Sequence, residues 1–141
     1  MSKKLDFFTA LLRPAGFLVA KVKFGYKYKK ATNLPENYIV LSNHVTDYDP
    51  ILVGLSFQKQ MYYVASEHIT RWGWIYKVLH FVFEPIIRYK ATVAASTVMD
   101  ILRKVRKGNN VCIFAEGDRS WDGVSGPILD STSKLIQSSG C

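Results

Sequence analysis

The sequence predicts an α/β fold in which a mostly parallel sheet is flanked by helices. Short, continuously apolar runs of strand length alternate along the chain with segments that carry helical signals, and this alternation is typical of βαβ units with right-handed crossovers. A polar cluster directly follows two of the apolar runs, as polar side chains do at the carboxyl ends of strands in open α/β sheets. With 141 residues, 48% of them hydrophobic, the chain can bury one modest core.

A basic arm, residues 1–32, precedes the predicted sheet. Residues 1–30 hold eight lysines and arginines and one acid, so nearly all of the net charge of +8 belongs to this arm. Its apolar run from Phe7 to Val22 contains Arg13 and Pro14 and is too broken to cross a bilayer, which takes about 20 apolar residues. It also lacks the charge order and cleavage site of a signal peptide. We interpret the arm as a bent amphipathic or helix-turn-helix segment in a membrane interface, with its lysines toward anionic head groups.

Two other interpretations of the arm remain open. Aromatic and basic residues alternate from Phe24 to Lys30, a pattern that also suits stacking against nucleic-acid bases. The apolar residues could instead belong to a packed pair of core helices. We favour the membrane and expect no nucleic acid, because the apolar half of the arm has no role on a phosphate backbone.

The predicted strands and helices follow a turn-rich link at residues 33–37. Each strand is a short apolar run, and the first helix has an acidic N-cap, Asp49, before a proline at its first position. The second helix is aromatic on nearly all sides, and the third has apolar residues at helical spacing and ends at Gly108 after a basic turn. In order, we predict strand 38–41, helix 50–57, strand 61–65, helix 72–83, a short strand at 86–87 ending at Arg88, helix 98–107 and strand 110–115.

The cysteines and histidines indicate neither a disulfide framework nor a metal site. Cys112 lies inside an apolar run and Cys141 is the only other cysteine, which favours a reducing, cytosolic setting. His68 and His80 have no cysteine or histidine at ligand spacing. We therefore expect no metal.

The first polar cluster, LSNHVTDYDP, follows the first predicted strand and places His44 five residues before Asp49. A neutral imidazole with one nitrogen held by a carboxylate is a positioned general base, which can take a proton from a hydroxyl near neutral pH. The alternative is purely structural, with Asp49 as a helix cap and His44 as a polar residue that ends a strand.

The second polar cluster, Glu116-Gly117-Asp118-Arg119-Ser120, follows the last predicted strand. Gly117 permits a tight turn, and the glutamate and arginine on either side of it can face a common ligand. They can equally form a structural ion pair.

Together the two clusters resemble the motifs of the glycerolipid acyltransferases, the lysophosphatidate (1-acyl-sn-glycerol-3-phosphate) acyltransferase family. The segment from His44 to Asp49 matches the H-x4-D motif, including the preceding Ser42-Asn43 and the following Pro50. The segment from Phe114 to Ser120 is similar to the F-P-E-G-T-R-S block. The separation between the two motifs is also similar to that in the family.

This resemblance implies an acyl transfer without an acyl-enzyme. His44 would deprotonate the free hydroxyl of a lysophospholipid, and Asp49 would orient the imidazole. The resulting alkoxide would attack an acyl thioester directly. No cofactor is implied, and acyl-CoA or acyl carrier protein would be the co-substrate in phospholipid biosynthesis.

The resemblance also implies an acceptor site made of Glu116, Gly117 and Arg119, with the Arg119 guanidinium shaped for a phosphate. Arg88 lies where the family's second block carries a phosphate-holding arginine, although the usual glycine of that block is absent here. Ala115 and Asp118 replace the proline and threonine of the family pattern.

The resemblance also implies how the chain is divided into domains and where in the cell the protein acts. We expect residues 33–141 to be an acyltransferase domain that is incomplete at its C-terminus, because family members continue with further strands and a fourth, proline-bearing block. With the arm, this predicts a peripheral or monotopic enzyme on the cytoplasmic face of a membrane. The alternative is a truncated, inactive fragment that binds membranes.

Overall fold

The computed structural model describes residues 3–29, 31–89, 95–117, 120, 124, 126–128 and 130–139. The elements are helices α1 (Lys3–Phe24), α2 (Asp49–Ser56), α3 (Trp74–Phe83), α4 (Ala95–Arg106) and α5 (Asp130–Ser139), a 3-10 helix (Glu67–Trp72), and strands β1 (Ile39–Ser42), β2 (Met61–Ser66), β3 (Ile86–Arg88) and β4 (Asn110–Phe114). The predicted α/β fold is confirmed.

Within the described residues, four strands form one sheet in the order β1-β4-β2-β3. Every neighbouring pair is parallel. Because parallel strands need crossover connections, helices separate the strands along the chain. All four strands therefore have their carboxyl ends at one edge of the sheet, which we call the carboxyl edge.

The core occupies both faces of the sheet, which explains why the strands are continuous apolar runs rather than alternating ones. On one face, Val111 of β4 packs with Ile101 and Val105 of α4 and with Leu5 of α1. On the other face, Cys112 of β4 packs with side chains that include those of α2. Val111 and Cys112 are both fully buried, so β4 is the central strand of the core.

The arm contains one helix, α1, with Pro14 inside it, and not the helix-turn-helix that was one of its two predicted forms. No helix in the described part of the chain combines the length and apolarity that crossing a membrane requires. Helix α1 packs against α2 and α3.

Arg13, which interrupts the apolar run of the arm, makes a tertiary contact. Its Nη2 donates to the carbonyl oxygens of Leu55 at 2.9 Å and Phe57 at 2.7 Å, and its Nη1 lies 3.5 Å from that of Gly54. These carbonyls belong to the C-terminal end of α2, where backbone acceptors lack helical partners and a cation is favoured. Arg13 therefore caps α2 and fixes α1 against it.

We expect Arg13→Met to lower the free energy of unfolding by about 2 kcal/mol, because hydrogen bonds to a charged group contribute about 1.5–3 kcal/mol. Urea denaturation measures this change. Lys21→Met is the matched control, since Lys21 is exposed on the same helix and is not among the residues that donate a hydrogen bond to α2 in the described part of the chain. Equal stability of the two variants would contradict the capping role.

Candidate active site

The sheet brings the two polar clusters together. Ser42 of β1 and Phe114 of β4 are register partners, and His44 and Glu116 each lie two residues further along their chains. Beyond the strands, the backbone N–H of Ser120 donates to the carbonyl oxygen of His44 at 2.8 Å. The loops after β1 and β4 therefore lie side by side at the carboxyl edge, as their positions after two predicted strands indicated.

The imidazole and the carboxylate of the first cluster are in direct contact. His44 Nδ1 lies 3.0 Å from Asp49 Oδ2. The same Oδ2 accepts the backbone N–H groups of Val45 at 2.6 Å and Thr46 at 2.7 Å, and Oδ1 accepts the Thr46 hydroxyl at 2.8 Å. Asp49 thus folds back across its own loop, which is why a spacing of five residues brings its carboxylate to the imidazole.

These contacts keep the carboxylate ionised. Burial acts to raise the pKa of Asp49, but hydrogen bonds from the backbone and hydroxyl of Thr46, the backbone of Val45 and the imidazole of His44 outweigh it and hold the pKa below its usual value. An anionic acceptor requires the Nδ1 nitrogen of His44 to carry the hydrogen. In the neutral imidazole this tautomer leaves the lone pair of Nε2 free, as a general base needs.

Phe114 fixes the plane of the histidine ring. The two rings stack with centroids 4.2 Å apart and planes 23° from parallel. Phe114 is the last residue of β4, so this contact ties the base to the central strand. In the sequence Phe114 stands out only as the first residue of the second motif. Its contact with the His44 ring follows from the register of β1 and β4, which the sequence does not show.

The second cluster begins with the expected tight turn. Gly117 has φ of 74°, a left-handed conformation that favours glycine, and its N–H donates to the carbonyl oxygen of Phe114 at 3.1 Å. Glu116 is half-buried, and a Cβ atom placed on Gly126 would lie 3.9 Å from its Oε2. The segment at Gly126, which the sequence did not assign to the site, therefore packs beside Glu116. Arg119, the predicted phosphate ligand, lies outside the described residues, as does Asp118.

Arg88 lies at the same edge but is not in contact with the His44 loop. It is the last residue of β3 and the register partner of Ser66 in β2. Three strand spacings of about 4.8 Å separate β3 from β1, so the two backbones are about 14 Å apart. Side chains alternate along a strand, and Ile86 of β3 packs on the α4 face. The Arg88 side chain therefore leaves β3 on the α4 face of the sheet, whereas His44 stacks on Phe114 on the α2 face.

In the described part of the chain, neither a reactive cysteine nor a metal cluster accompanies the pair. Burial raises the pKa of the Cys112 thiol to about 12, so it stays protonated at neutral pH and is a poor nucleophile. Among the described residues no group of three histidine, cysteine or acidic side chains could hold a metal.

A cleft of about 630 Å³ lies at the amino ends of the strands and is lined by residues that include Tyr62, Ile86 and Asn109. It therefore does not belong to this site, which lies at the carboxyl edge.

A family model described as Acyltransferase matches residues 25–141. The matched range contains all four strands and both polar clusters. No curated protein and no solved structure gives a match.

Proposed function

Since this chain belongs to the acyltransferase family, we propose that it transfers a fatty acyl group from a thioester donor to the free hydroxyl of a lysophospholipid such as lysophosphatidate. The observation that carries the proposal is the contact between His44 Nδ1 and the half-buried, ionised carboxylate of Asp49 at the carboxyl edge. Such a pair activates a hydroxyl without a covalent intermediate.

The proposed reaction is a direct displacement. His44 Nε2 takes the proton of the acceptor hydroxyl while the oxygen forms a bond to the thioester carbonyl carbon. The carbon–sulfur bond then breaks, and the departing thiolate takes the proton from the imidazolium. The products are an ester and a free thiol. Asp49 stabilises the imidazolium in between, and a positioned base of this kind contributes about 10²–10⁴-fold to the rate.

The acceptor phosphate is assigned to the second cluster. Gly117 turns the chain beside the His44 loop, Arg119 follows it two residues later in the sequence, and a guanidinium binds a phosphate through two parallel hydrogen bonds. Glu116 would position the glycerol part of the acceptor. With its backbone about 14 Å from β1 by strand spacing, Arg88 would act only at the far side of the head group.

We propose that residues 1–30 bind an anionic membrane surface. The protein would then be a peripheral or monotopic protein on the cytoplasmic face of a membrane. Helix α1 exposes large apolar side chains along one stripe, and exposed patches of this kind mark interaction surfaces. The stripe consists of Phe7, Leu11, Leu18 and Val22, each at least 61% exposed. Helix α3 adds Trp74, Val78 and Phe81, also exposed, and Phe8 of α1 contacts Phe81 edge to face.

The aromatic and basic strip from Phe24 to Lys30 does not favour the alternative partner, a nucleic-acid strand. Phe24 packs against Tyr48, and Tyr26 stacks on Tyr28 with ring centroids 5.5 Å apart. These rings of the aromatic and basic strip are therefore engaged with other rings of the protein.

We expect Leu18→Asp to weaken binding to vesicles of phosphatidylglycerol and phosphatidylcholine about tenfold, because it removes one exposed leucine whose insertion into the lipid would contribute about 1.5–3 kcal/mol. Cosedimentation measures the change. Met99→Asp is the matched control, since Met99 is an exposed apolar residue of α4 outside the two helices. Equal binding by both variants would argue against the stripe as the lipid contact.

The function itself is tested by thiol release from acyl-CoA and from acyl carrier protein, with lysophosphatidate as acceptor. We expect thiol release that depends on the acceptor, an equal amount of phosphatidate, and no burst when the acceptor is absent. Thiol release without acceptor would indicate a hydrolase, and vesicle binding without any turnover would indicate a binding module. An equal rate with monoacylglycerol, which lacks the phosphate, would contradict the proposed phosphate site.

A further inference from the structure

The arm holds helix α2 along its whole length. At the C-terminal end of α2, Arg13 binds three backbone carbonyls. In the middle, the Tyr26 hydroxyl donates to the carbonyl oxygen of Leu52 at 2.8 Å and lies 2.6 Å from Ser56 Oγ. Because α2 begins at Asp49, the arm restrains the helix that carries the carboxylate of the candidate active site.

The third contact lies inside the His44–Asp49 loop. Lys23 Nζ donates to the Tyr48 hydroxyl at 2.9 Å and lies 4.3 Å from the centre of its ring. The Phe24 ring lies beside the same tyrosine, with centroids 5.1 Å apart. Tyr48 is therefore bound by the last turn of α1, through a charge-assisted hydrogen bond and through its ring face.

A short hydrogen-bonded path connects Tyr48 to the histidine. The Tyr48 backbone N–H donates to Thr46 Oγ1 at 3.3 Å, and this hydroxyl donates in turn to Asp49 Oδ1. The Tyr48 carbonyl also accepts the N–H groups of Ile51 and Leu52, the first hydrogen bonds of α2. A shift of Tyr48 would therefore disturb both the loop donors of Asp49 and the start of its helix.

We propose that Tyr48 is a positioning residue for the His44–Asp49 pair and that helix α1 acts on the reaction through the contact between Lys23 and Tyr48. The inference rests on the proposed function and adds a role for the arm in the chemical step. The helix that is proposed to meet the lipid surface is then also the support of the catalytic loop. Its position sets the turnover number and not only the local concentration of lipid substrate.

The test compares Lys23→Met with Lys21→Met at saturating vesicles. Each variant loses one lysine of the same helix, so both lose the same charge at the lipid surface, but only Lys23 contacts Tyr48. We expect kcat of Lys23→Met to be about 3- to 10-fold below that of Lys21→Met, the range that corresponds to one hydrogen bond, with equal KM. Lys23→Arg, which keeps the donor and the cation over the ring, should restore kcat.

A double-mutant cycle assigns the effect to the pair. Tyr48→Phe removes the hydroxyl but keeps the ring, and it should lower kcat as well. Combined with Lys23→Met it should cause no further loss beyond that of Lys23→Met alone, because both changes break one interaction. Losses in kcat that multiply would show two independent effects and would overturn the proposal.

Amide hydrogen exchange gives a readout that does not depend on activity. The N–H groups of Val45 and Thr46 donate to Asp49, and we expect them to exchange faster in Lys23→Met than in Lys21→Met. Equal exchange and equal kcat in the two variants would end the positioning role while leaving the proposed function intact. If the unaltered protein fails to acylate any acceptor, the proposed function falls, and exchange at these two amides alone decides the positioning role.

Discussion

Replacing His44 with alanine is expected to lower acyl transfer by about 10³-fold, because a positioned general base contributes about 10²–10⁴-fold. The loss should appear in kcat, measured as acceptor-dependent thiol release at saturating lysophosphatidate. Binding to vesicles should not change, since His44 lies at the carboxyl edge of the sheet and the exposed apolar stripe lies on α1. The fold should also persist, because three loop donors still satisfy Asp49.

His68→Ala is the control for this variant. His68 is exposed in the 3-10 helix, outside both polar clusters, so its loss tests whether removal of any histidine lowers the rate. Unchanged acylation by His44→Ala would discard the assignment of the base. A loss of vesicle binding in the same variant would mean that the substitution acts on the structure of the arm.

Asp49→Asn is expected to lower kcat by about 10²–10³-fold. The amide keeps the size of the carboxylate but removes its charge, so that it no longer fixes the Nδ1 hydrogen of His44 or stabilises the imidazolium. The same thiol-release assay measures the loss. Asp47→Asn removes a carboxylate from the same loop and should retain most of the activity, and equal losses in the two variants would assign the effect to loop charge instead of to the pair.

The same carboxylate predicts a pH dependence of stability. The hydrogen bonds to Asp49 hold its pKa below the usual value, so the folded protein binds this proton less readily than the unfolded chain does. The stabilisation is therefore complete above the unfolded pKa of about 3.9 and is lost as pH falls through the lower, folded pKa. Urea denaturation should show a stability difference between the unaltered protein and Asp49→Asn that shrinks as pH falls below about 4. A difference that stays constant over this range would contradict the lowered pKa.

The elements of the sheet could be predicted because their signals are local. The strands are buried on both faces and so appear as unbroken apolar runs. The Asp49-Pro50 pair marked the start of α2 to within one residue, but Asp49 is not the N-cap: the N-cap is Tyr48, and the Asp49 carboxylate turns back to the His44 loop. The aromatic helix, predicted from Trp72, begins at Trp74, and the 3-10 helix Glu67–Trp72 before it was not predicted; the overlooked signal was Gly73, whose φ of 57° separates the two. Helix α5 was missed because its segment is rich in serine, although Leu135 is buried against the core.

The contacts that complete the candidate site depend on tertiary structure and left little trace in the sequence. The strand order places β4 beside β1, and only that neighbourhood puts Phe114 under the histidine ring. Arg13 was taken as a break in an apolar run, because nothing near it in the sequence shows that the end of α2 lies against it. Lys23 and Tyr48 are 25 positions apart, and neither belongs to a pattern that pairs them.

The central position of β4 has a consequence for how the protein is made. Strand β1 pairs with β4 through residues that include Ile39 and Val111, and no strand synthesised between them replaces this neighbour in the described sheet. During translation β1 therefore has no partner strand until β4 has left the ribosome, and its backbone groups are hydrogen-bonded to water until then. Closing the long loop between them slows this step of folding, and the His44 and Glu116 loops come side by side only when it is complete.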